Sequence, residues 1–220
     1  MAKNNFYGVR VGRKTGVFKT WDECKAQVEG YPGAVYKGFI AEFAAIEYVN
    51  GVQTKPVANE EKETRPIAYV DGSFDESTGR YAYGVAIING DIEVHLSGTG
   101  DNPGMAQMRN VAGEIMGAME AMRYAKNNGI DELVIYHDYQ GISSWATREW
   151  KANKPETQAY QRFCDKAFDV IKVSFKKVKG HSNDFYNDVV DALAKNALGI
   201  TSGIKKATQE HIENVAATQI

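Results

Sequence analysis

One stretch decides how this chain is read: Ile67-Ala68-Tyr69-Val70-Asp71-Gly72-Ser73, an apolar strand pattern that ends in a carboxylate and a turn. A second strand pattern, from Arg80 to Ile88, follows a polar turn, which predicts a hairpin in a buried sheet. An Asp on such a rigid element is well placed to hold Mg²⁺, which prefers few, well-fixed carboxylates. Taken alone, an Asp-Gly pair more often only starts a turn. The rest of the chain decides between these two interpretations of Asp71.

Composition sets the outer limits on this chain. Its 220 residues are 43% hydrophobic and 11% aromatic, enough for one large or two small globular domains. The net charge of −2 means that any nucleic-acid contact must come from local basic patches. No apolar run has membrane length and the first residues carry no leader pattern, so a cytoplasmic protein is expected. Cys24 and Cys164 lie far apart and are expected to be buried small hydrophobes.

The first fifty residues are predicted to form a small α+β module with a three-stranded antiparallel sheet. A hairpin is predicted over residues 6–20, a helix from the capping box Thr20-Trp21-Asp22-Glu23, a strand over 34–39 and a helix over 42–49. Aromatic rings stack on bases while cations neutralise phosphates, a combination that binds nucleic acid without reading sequence. The alternative is that a small domain needs its aromatic residues for its core. The candidate nucleic-acid contacts are Tyr7, Arg10, Trp21, Tyr36 and Lys37.

The module also carries a dense motif. It runs through Phe6-Tyr7-x-Val9-Arg10-x-Gly12-Arg13-Lys14-Thr15-Gly16-Val17-Phe18, then Thr20-Trp21-x-Glu23-Cys24 and Ala34-x-Tyr36-Lys37-x-Phe39. This pattern resembles the hybrid-binding domain found at the N-terminus of many ribonucleases H and in caulimovirus viroplasmin. The resemblance implies that Tyr7, Trp21 and Lys37 contact the minor groove of an RNA/DNA duplex. Gly38 stands where the family often has a second lysine, which removes one phosphate contact.

Further acids occupy positions that are usually apolar in the second half of the chain. Glu114 borders the apolar stripe of a helix predicted from about Met105 to Asn128, and Asp138 ends a buried strand as Asp71 does. Adjacent parallel strands would bring Asp71 and Asp138 to one edge of the sheet. Buried carboxylates repel one another and are costly without a cation, so their convergence predicts a metal site.

A fourth acid is expected after Lys179-Gly180-His181. The candidates are Asp184, Asp188 and Asp191, and the last is preferred because it borders the inward, apolar face of the predicted final helix. His181 stands in a Lys-Gly-His-Ser loop, and an imidazole titrates near the working pH of most enzymes. A role for His181 in chemistry is therefore favoured over a structural one.

The order of these motifs is D-G-S in a strand, N-x-x-x-E in a helix, a strand-end D, K-G-H-S, and N-x-x-x-D. Across residues 65–198 it resembles ribonuclease H type 1. That resemblance implies an α/β fold, with a mixed five-stranded sheet and flanking helices, and an endoribonuclease that hydrolyses the RNA strand of RNA/DNA hybrids. It implies two Mg²⁺ ions, with Mn²⁺ possible, and products with 5′-phosphate and 3′-hydroxyl ends. The implied metal ligands are Asp71, Glu114, Asp138 and Asp191; His181 would assist proton transfer or product release, and Asn110 and Asn187 would contact the hybrid or position other residues.

The predicted organisation follows from these motifs. Residues 1–50 form the hybrid-binding domain, 51–64 a polar linker, 65–200 the ribonuclease H catalytic domain, and 201–220 a C-terminal helix or tail. The expected partner is an RNA/DNA hybrid duplex, with no membrane and no obligate protein partner.

Some features depart from the family pattern. Tyr139 follows the strand-end acid where the family commonly has Ser, and the segment 145–160 is too short for the basic handle helix of some members. The N-terminal module is expected to supply that grip instead. His95 and His137 are expected to be structural. Two rival functions are a non-catalytic hybrid-binding protein, which the presence of all four acids disfavours, and a related-fold DNA strand-transfer nuclease, which the N-terminal module disfavours.

Overall fold

The computed structural model describes residues 6–39, 45, 48, 49, 65–178 and 184–218. The chain forms two compact units, Met1–Glu61 and Lys62–Ile220. The predicted linker, residues 51–64, lies outside the described residues, and so does His181. Among the described helices, none is both long and apolar enough to cross a membrane.

The first unit is built on a three-stranded antiparallel sheet in the order β2-β1-β3. The predicted hairpin is present as β1 (Phe6–Val11) and β2 (Gly16–Phe18), and β3 (Val35–Phe39) pairs with the other edge of β1. Helix α1 (Trp21–Val28) packs on β1. Most of the helix predicted over residues 42–49 lies outside the described residues.

Helix α1 begins at the predicted capping box. The hydroxyl of Thr20 accepts a hydrogen bond from the backbone N–H of Glu23, and the carboxylate of Glu23 accepts one from the N–H of Thr20. Both contacts satisfy backbone donors that the first turn of a helix leaves unpaired. The helix turns Cys24 and Val28 inward against Val9, and these three side chains form a small buried core.

The second unit contains a mixed five-stranded sheet in the order β6-β5-β4-β7-β8. An antiparallel meander is formed by β4 (Ile67–Asp75), β5 (Arg80–Asn89) and β6 (Ile92–Gly100). Strands β7 (Glu132–His137) and β8 (Lys172–Lys177) continue the sheet in parallel on the other side of β4. This architecture confirms the predicted fold class.

Six helices flank the sheet in the described part of the second unit. In chain order they are α2 (Pro103–Ala106), α3 (Asn110–Asn127), α4 (Gly141–Ala146), α5 (Pro155–Phe168), α6 (Phe185–Ala197) and α7 (Lys206–Thr218). Helix α3 packs on β4 and β5 over the main apolar core, whereas α6 packs on β4, β5 and β6. Helix α7, the extension after the sheet domain, packs on α6 and β6.

Two close approaches of helix to sheet depend on glycine. A Cβ atom on Gly113 of α3 would collide with the carbonyl oxygen of Ala82, and one on Gly84 of β5 would collide with the carbonyl oxygen of Val190 in α6. Gly84 pairs with Asp71 across the strands, so α6 covers the face of the sheet toward which Asp71 points. The glycines therefore let α3 and α6 lie directly against β5, the strand that pairs with the one carrying Asp71.

The helix predicted from Met105 to Asn128 is wrong at its beginning. The side chain of Asn102 caps the N–H groups of Gly104 and Met105 and starts the separate short helix α2. Arg109 then has a φ of 57°, which interrupts the helical path, so α3 begins only at Asn110. Asn110 thus lies at the first turn of α3, one turn before Glu114.

Candidate active site

Three of the predicted acids come together at one end of the sheet. The parallel pairing of β4 and β7 ends at Tyr69 and Tyr136, and Asp71 and Asp138 each lie two residues beyond that point. Glu114 reaches the same place from α3. One carboxylate oxygen from each of the three acids lies within 4.8 Å of the others. The structure therefore assembles Asp71, Glu114 and Asp138 into one cluster, which we call the carboxylate cluster.

Burial and the negative charge of the carboxylate cluster, which the groups around it do not balance, raise the pKa values of two of its acids. Burial and the nearby Asp138 raise the pKa of Asp71 to about 8, against the lowering effect of a hydrogen bond from the N–H of Gly72. That N–H lies 2.7 Å from Asp71 Oδ1. Burial and the charges of Asp138 and Asp71 raise the pKa of Glu114 to about 9. A bound cation would reverse both shifts.

Of the three acids, Glu114 gives the clearest indication that a ligand binds at the carboxylate cluster. Its side chain is 1% exposed, and among the described residues its Oε2 atom has no hydrogen-bond partner. The backbone N–H of Tyr139 donates a hydrogen bond to the Glu114 carboxyl group. The side chains of Glu114 and Asp138 form a second hydrogen bond. A buried carboxylate oxygen without a donor is costly unless a ligand completes it. The donor set, three carboxylates without nitrogen or sulfur, suits Mg²⁺ or Mn²⁺.

The fourth predicted acid, Asp191, lies near the cluster but is held by a cation. Its Oδ2 atom lies 2.7 Å from Nζ of Lys195, one helical turn on in α6. The charge of Asp191 raises the pKa of Asp71, and that of Lys195 lowers it. The sequence did not lead us to pair Lys195 with Asp191, although their spacing of four residues is that of a helical ion pair.

The two other candidates for the fourth acid have different partners. Asp184 caps α6 by accepting hydrogen bonds from the N–H groups of Tyr186 and Asn187. Asp188 forms an ion pair with Lys205, whose Nζ lies 2.6 Å from its Oδ2 atom. Asp191 is among the charges that raise the pKa of Asp71, so of the three candidates it remains the predicted fourth acid.

The predicted asparagines differ in exposure. Asn110 is exposed at the start of α3, where its side chain can meet a ligand. Asn187 in α6 is only 6% exposed, which favours the positioning role over direct contact with a hybrid.

Aromatic residues stand next to Asp138. The ring of Tyr139, at the position of the family Ser, lies 5.8 Å from that of Trp145 and 6.4 Å from that of Trp150. The two tryptophan rings are 5.9 Å apart. Trp150 is 41% exposed, so the group offers a ring face to solvent. The sequence reasoning noted both tryptophans only as part of a short segment.

In the first unit, Tyr7, Trp21 and Tyr36 form a continuous row of rings, the aromatic row. The ring of Trp21 lies 5.5 Å from that of Tyr7 and 5.8 Å from that of Tyr36. Trp21 and Tyr36 are 42% and 44% exposed, so these rings are not core residues. The alternative of aromatic residues used for burial therefore does not hold for these two.

The two predicted cations of the first unit are placed differently. Lys37 is exposed and follows Tyr36 on β3. The guanidinium of Arg10 lies 4.2 Å from the ring centre of Tyr48 and donates a hydrogen bond to the Tyr48 carbonyl oxygen. Arg10 is thus engaged inside the unit, whereas Lys37 is exposed, with its Nζ atom 5.5 Å from the ring centre of Phe39.

Comparison with known proteins was made for both units. Residues 5–49 match the family described as the ribonuclease H1 N-terminal domain, and residues 63–199 match the RNase H family. The ribonuclease H1 of Homo sapiens is 27% identical over 86% of this chain and 88% of its own. The ribonuclease H of Pseudoalteromonas translucida is 33% identical over 60% of this chain and 88% of its own. The RNase H1 structure from Halobacterium salinarum superposes with a TM-score of 0.52 at 24% identity, covering 61% of this chain and 98% of its own, a likeness in fold.

Proposed function

This chain belongs to the ribonuclease H family, and from that premise we propose that it is an endoribonuclease that hydrolyses the RNA strand of RNA/DNA hybrids. The observation that carries the proposal is the carboxylate cluster, in which the buried Glu114 converges with Asp71 and Asp138 and in which burial and the neighbouring charges raise the pKa of Glu114 to about 9. The match of residues 5–49 to the ribonuclease H1 N-terminal domain supports a hybrid duplex as the substrate.

The residues of the cluster fit a pair of divalent cations. Asp71, Glu114 and Asp138 would hold the ions, and Asp191, whose charge raises the pKa of Asp71, would contribute a fourth carboxylate. The chemistry that two Mg²⁺ or Mn²⁺ ions supply in such a site is activation of a water for in-line attack and stabilisation of charge on the leaving oxygen.

Water is the only reactant that the hydrolysis needs besides the hybrid. The oxygen of a water forms a bond to the scissile phosphorus, the bond from phosphorus to the 3′ oxygen breaks, and that oxygen takes up a proton. The products are a 5′-phosphate end and a 3′-hydroxyl end. We assign His181, which precedes α6 in the sequence, to proton transfer or product release.

Other residues of the chain select and position the substrate. Asn110 at the exposed start of α3 would meet a 2′-hydroxyl group, which DNA does not have. Buried Asn187 would hold α6 and hence Asp191 in place. In the first unit, the aromatic row and Lys37 would bind the hybrid by stacking and by phosphate attraction.

An assay with an end-labelled RNA/DNA hybrid tests the function. The wild-type chain should cut the RNA strand with Mg²⁺ and not with chelator, whereas Asp71→Asn should still bind the hybrid and lose at least about a thousandfold in rate, the scale of a lost electrostatic contribution to catalysis. Asp75→Asn, which changes an acid of the same strand outside the cluster, is the matched control and should cut normally.

The same assay separates the rival functions. Binding without cutting by the wild-type chain under Mg²⁺ and Mn²⁺ would indicate a non-catalytic hybrid-binding protein. Cutting of duplex DNA in preference to the hybrid would indicate a DNA strand-transfer nuclease. Either result would overturn the proposal, and so would normal cutting by Asp71→Asn.

A further inference from the structure

A second group of metal-ligand side chains lies on β6, away from the residues of the carboxylate cluster in sequence and in donor type. Glu93 and His95 are two residues apart on the strand and therefore share a face, and His211 approaches from α7. Nε2 of His95 and Nε2 of His211 each lie 2.7 Å from the same atom, Oε1 of Glu93. The three potential ligand atoms lie within 4.8 Å of one another.

We propose that Glu93, His95 and His211 form a zinc site that fastens the C-terminal helix α7 to the edge of the sheet. Two imidazoles and one carboxylate are a ligand set typical of Zn²⁺, whereas Mg²⁺ prefers oxygen ligands alone. The set leaves a fourth position for water or another ligand. His211 lies beyond residue 199, where the match to the RNase H family ends, so the extension itself completes the site.

The surroundings hold these ligands in place. The side chains of His95, Glu93 and His211 are 6%, 19% and 6% exposed, so they are fixed by packing. The Tyr186 hydroxyl donates a hydrogen bond of 3.2 Å to the second oxygen of Glu93, which is the kind of outer contact that orients a metal-binding carboxylate. The ring of Phe185 packs edge-on against that of His211, with centroids 4.9 Å apart.

The surroundings of His95 limit the affinity of this site for zinc. Nδ1 of His95 is buried and has no hydrogen-bond partner in the described part of the chain. Zinc bound at Nε2 of His95 would have no outer partner at Nδ1 among the described residues, and loss of such a partner weakens metal sites by about 10- to 100-fold. We therefore expect a zinc ion that exchanges with solution.

The test is equilibrium dialysis of the full, chelator-stripped chain against Zn²⁺ in the presence of excess Mg²⁺, which occupies the carboxylate cluster. The wild-type chain should bind one Zn²⁺. His211→Ala should bind it at least about 100-fold more weakly, more than the loss of an outer partner alone. Asn214→Ala, an exposed position on the same helix, is the matched control and should bind as the wild-type chain does.

A second readout does not depend on how firmly α7 is held in the variants. Co²⁺ in place of Zn²⁺ should give the intense visible absorption of a four-coordinate nitrogen-containing site in the wild-type chain, and Glu93→Gln, which keeps the shape of the side chain, should lose it. Asp71→Asn should keep it, so that failure of the nuclease proposal and failure of the zinc site are read separately.

Two results would overturn the zinc site. One is the absence of saturable Zn²⁺ binding to the wild-type chain in Mg²⁺, which would leave a cluster held by hydrogen bonds alone. The other is equal Zn²⁺ affinity in the wild-type chain and in His211→Ala, which would place the ion elsewhere.

Discussion

At the scale of single residues, the metal-free carboxylate cluster binds protons at Asp71 and Glu114. Asp71 and Glu114 have pKa values of about 8 and about 9 in the folded chain, against ordinary values of 3.8 and 4.5. At a pH between the ordinary and the raised pKa values, the folded chain keeps protons on Asp71 and Glu114 that the unfolded chain has already released. The free energy of unfolding therefore falls as pH rises through this window.

Thermal unfolding in chelator tests this linkage. From pH 5 to pH 8 the wild-type chain should lose stability by at most about 1.4 kcal/mol per pH unit for each of the two groups. Glu114→Gln removes one buried acid, so its stability should depend less on pH, and Mg²⁺ should stabilise the wild-type chain most at high pH. Stability that rises over this range in chelator would contradict the assigned burial of these acids.

At this scale, the sequence predicted the acids of the carboxylate cluster but not the surroundings of every site residue. Asp71, Glu114 and Asp138 were predicted because each interrupts a local apolar pattern, which is visible in the chain itself. The ion pair of Asp191 with Lys195 lies within one helix and its spacing was available in the sequence, whereas the burial of Asn187 depends on where α6 lies and is not given by local spacing.

At the scale of elements, the approach of α3 to the sheet sets the position of Glu114. Gly113 contacts the backbone of β5 directly, and a methyl group there would collide with the Ala82 carbonyl oxygen. The beginning of α3 follows from the backbone of Arg109, whose φ of 57° no periodic pattern predicts. The predicted helix beginning at Met105 failed for that reason, whereas the capping box at Thr20 succeeded because both its partners lie within four residues.

Gly113→Ala tests this dependence. The added methyl group should push α3 away from β5, lower the stability by about 1 to 3 kcal/mol, as overpacking does, and reduce cleavage more than tenfold, roughly the penalty for misplacing a catalytic group. Gly117→Ala in the same helix meets only ordinary contacts, the nearest 3.4 Å from Val70 Cβ. It should be neutral or stabilising by up to about 1 kcal/mol. Equal effects of the two substitutions in urea unfolding and in cleavage would argue against close packing at Gly113.

At the scale of the whole molecule, the proposed function assigns binding of the hybrid to the first unit and cutting to the second. The aromatic row belongs to the first unit and the carboxylate cluster to the second. Patterns of strand, turn and helix predicted the succession of elements in both units, and the resemblance to ribonuclease H type 1 implied the mixed five-stranded sheet of the second. They did not reveal that His95, expected to be structural, shares Glu93 with His211, because Glu93 and His211 are 118 residues apart.

Substitutions in the first unit test the division. Trp21→Ala should weaken binding of the hybrid by about 1 to 3 kcal/mol, the contribution of one stacked base. Lys37→Ala should lower the slope of log affinity against log salt by about 1. Fluorescence anisotropy at several salt concentrations measures both effects, with Tyr31→Ala, an exposed aromatic residue of the turn before β3, as the control. Unchanged affinity in Trp21→Ala, or a changed rate at saturating hybrid, would contradict a role confined to binding.

Calorimetric titration of Mg²⁺ into the chelator-stripped chain at pH 7, in buffers of different ionisation enthalpy, tests the central claim most directly. If the carboxylate cluster holds the ions, binding must release protons from Asp71 and Glu114, and Glu114→Gln should release fewer and bind more weakly. Mg²⁺ binding without proton release, and with equal affinity in Glu114→Gln, would contradict the account.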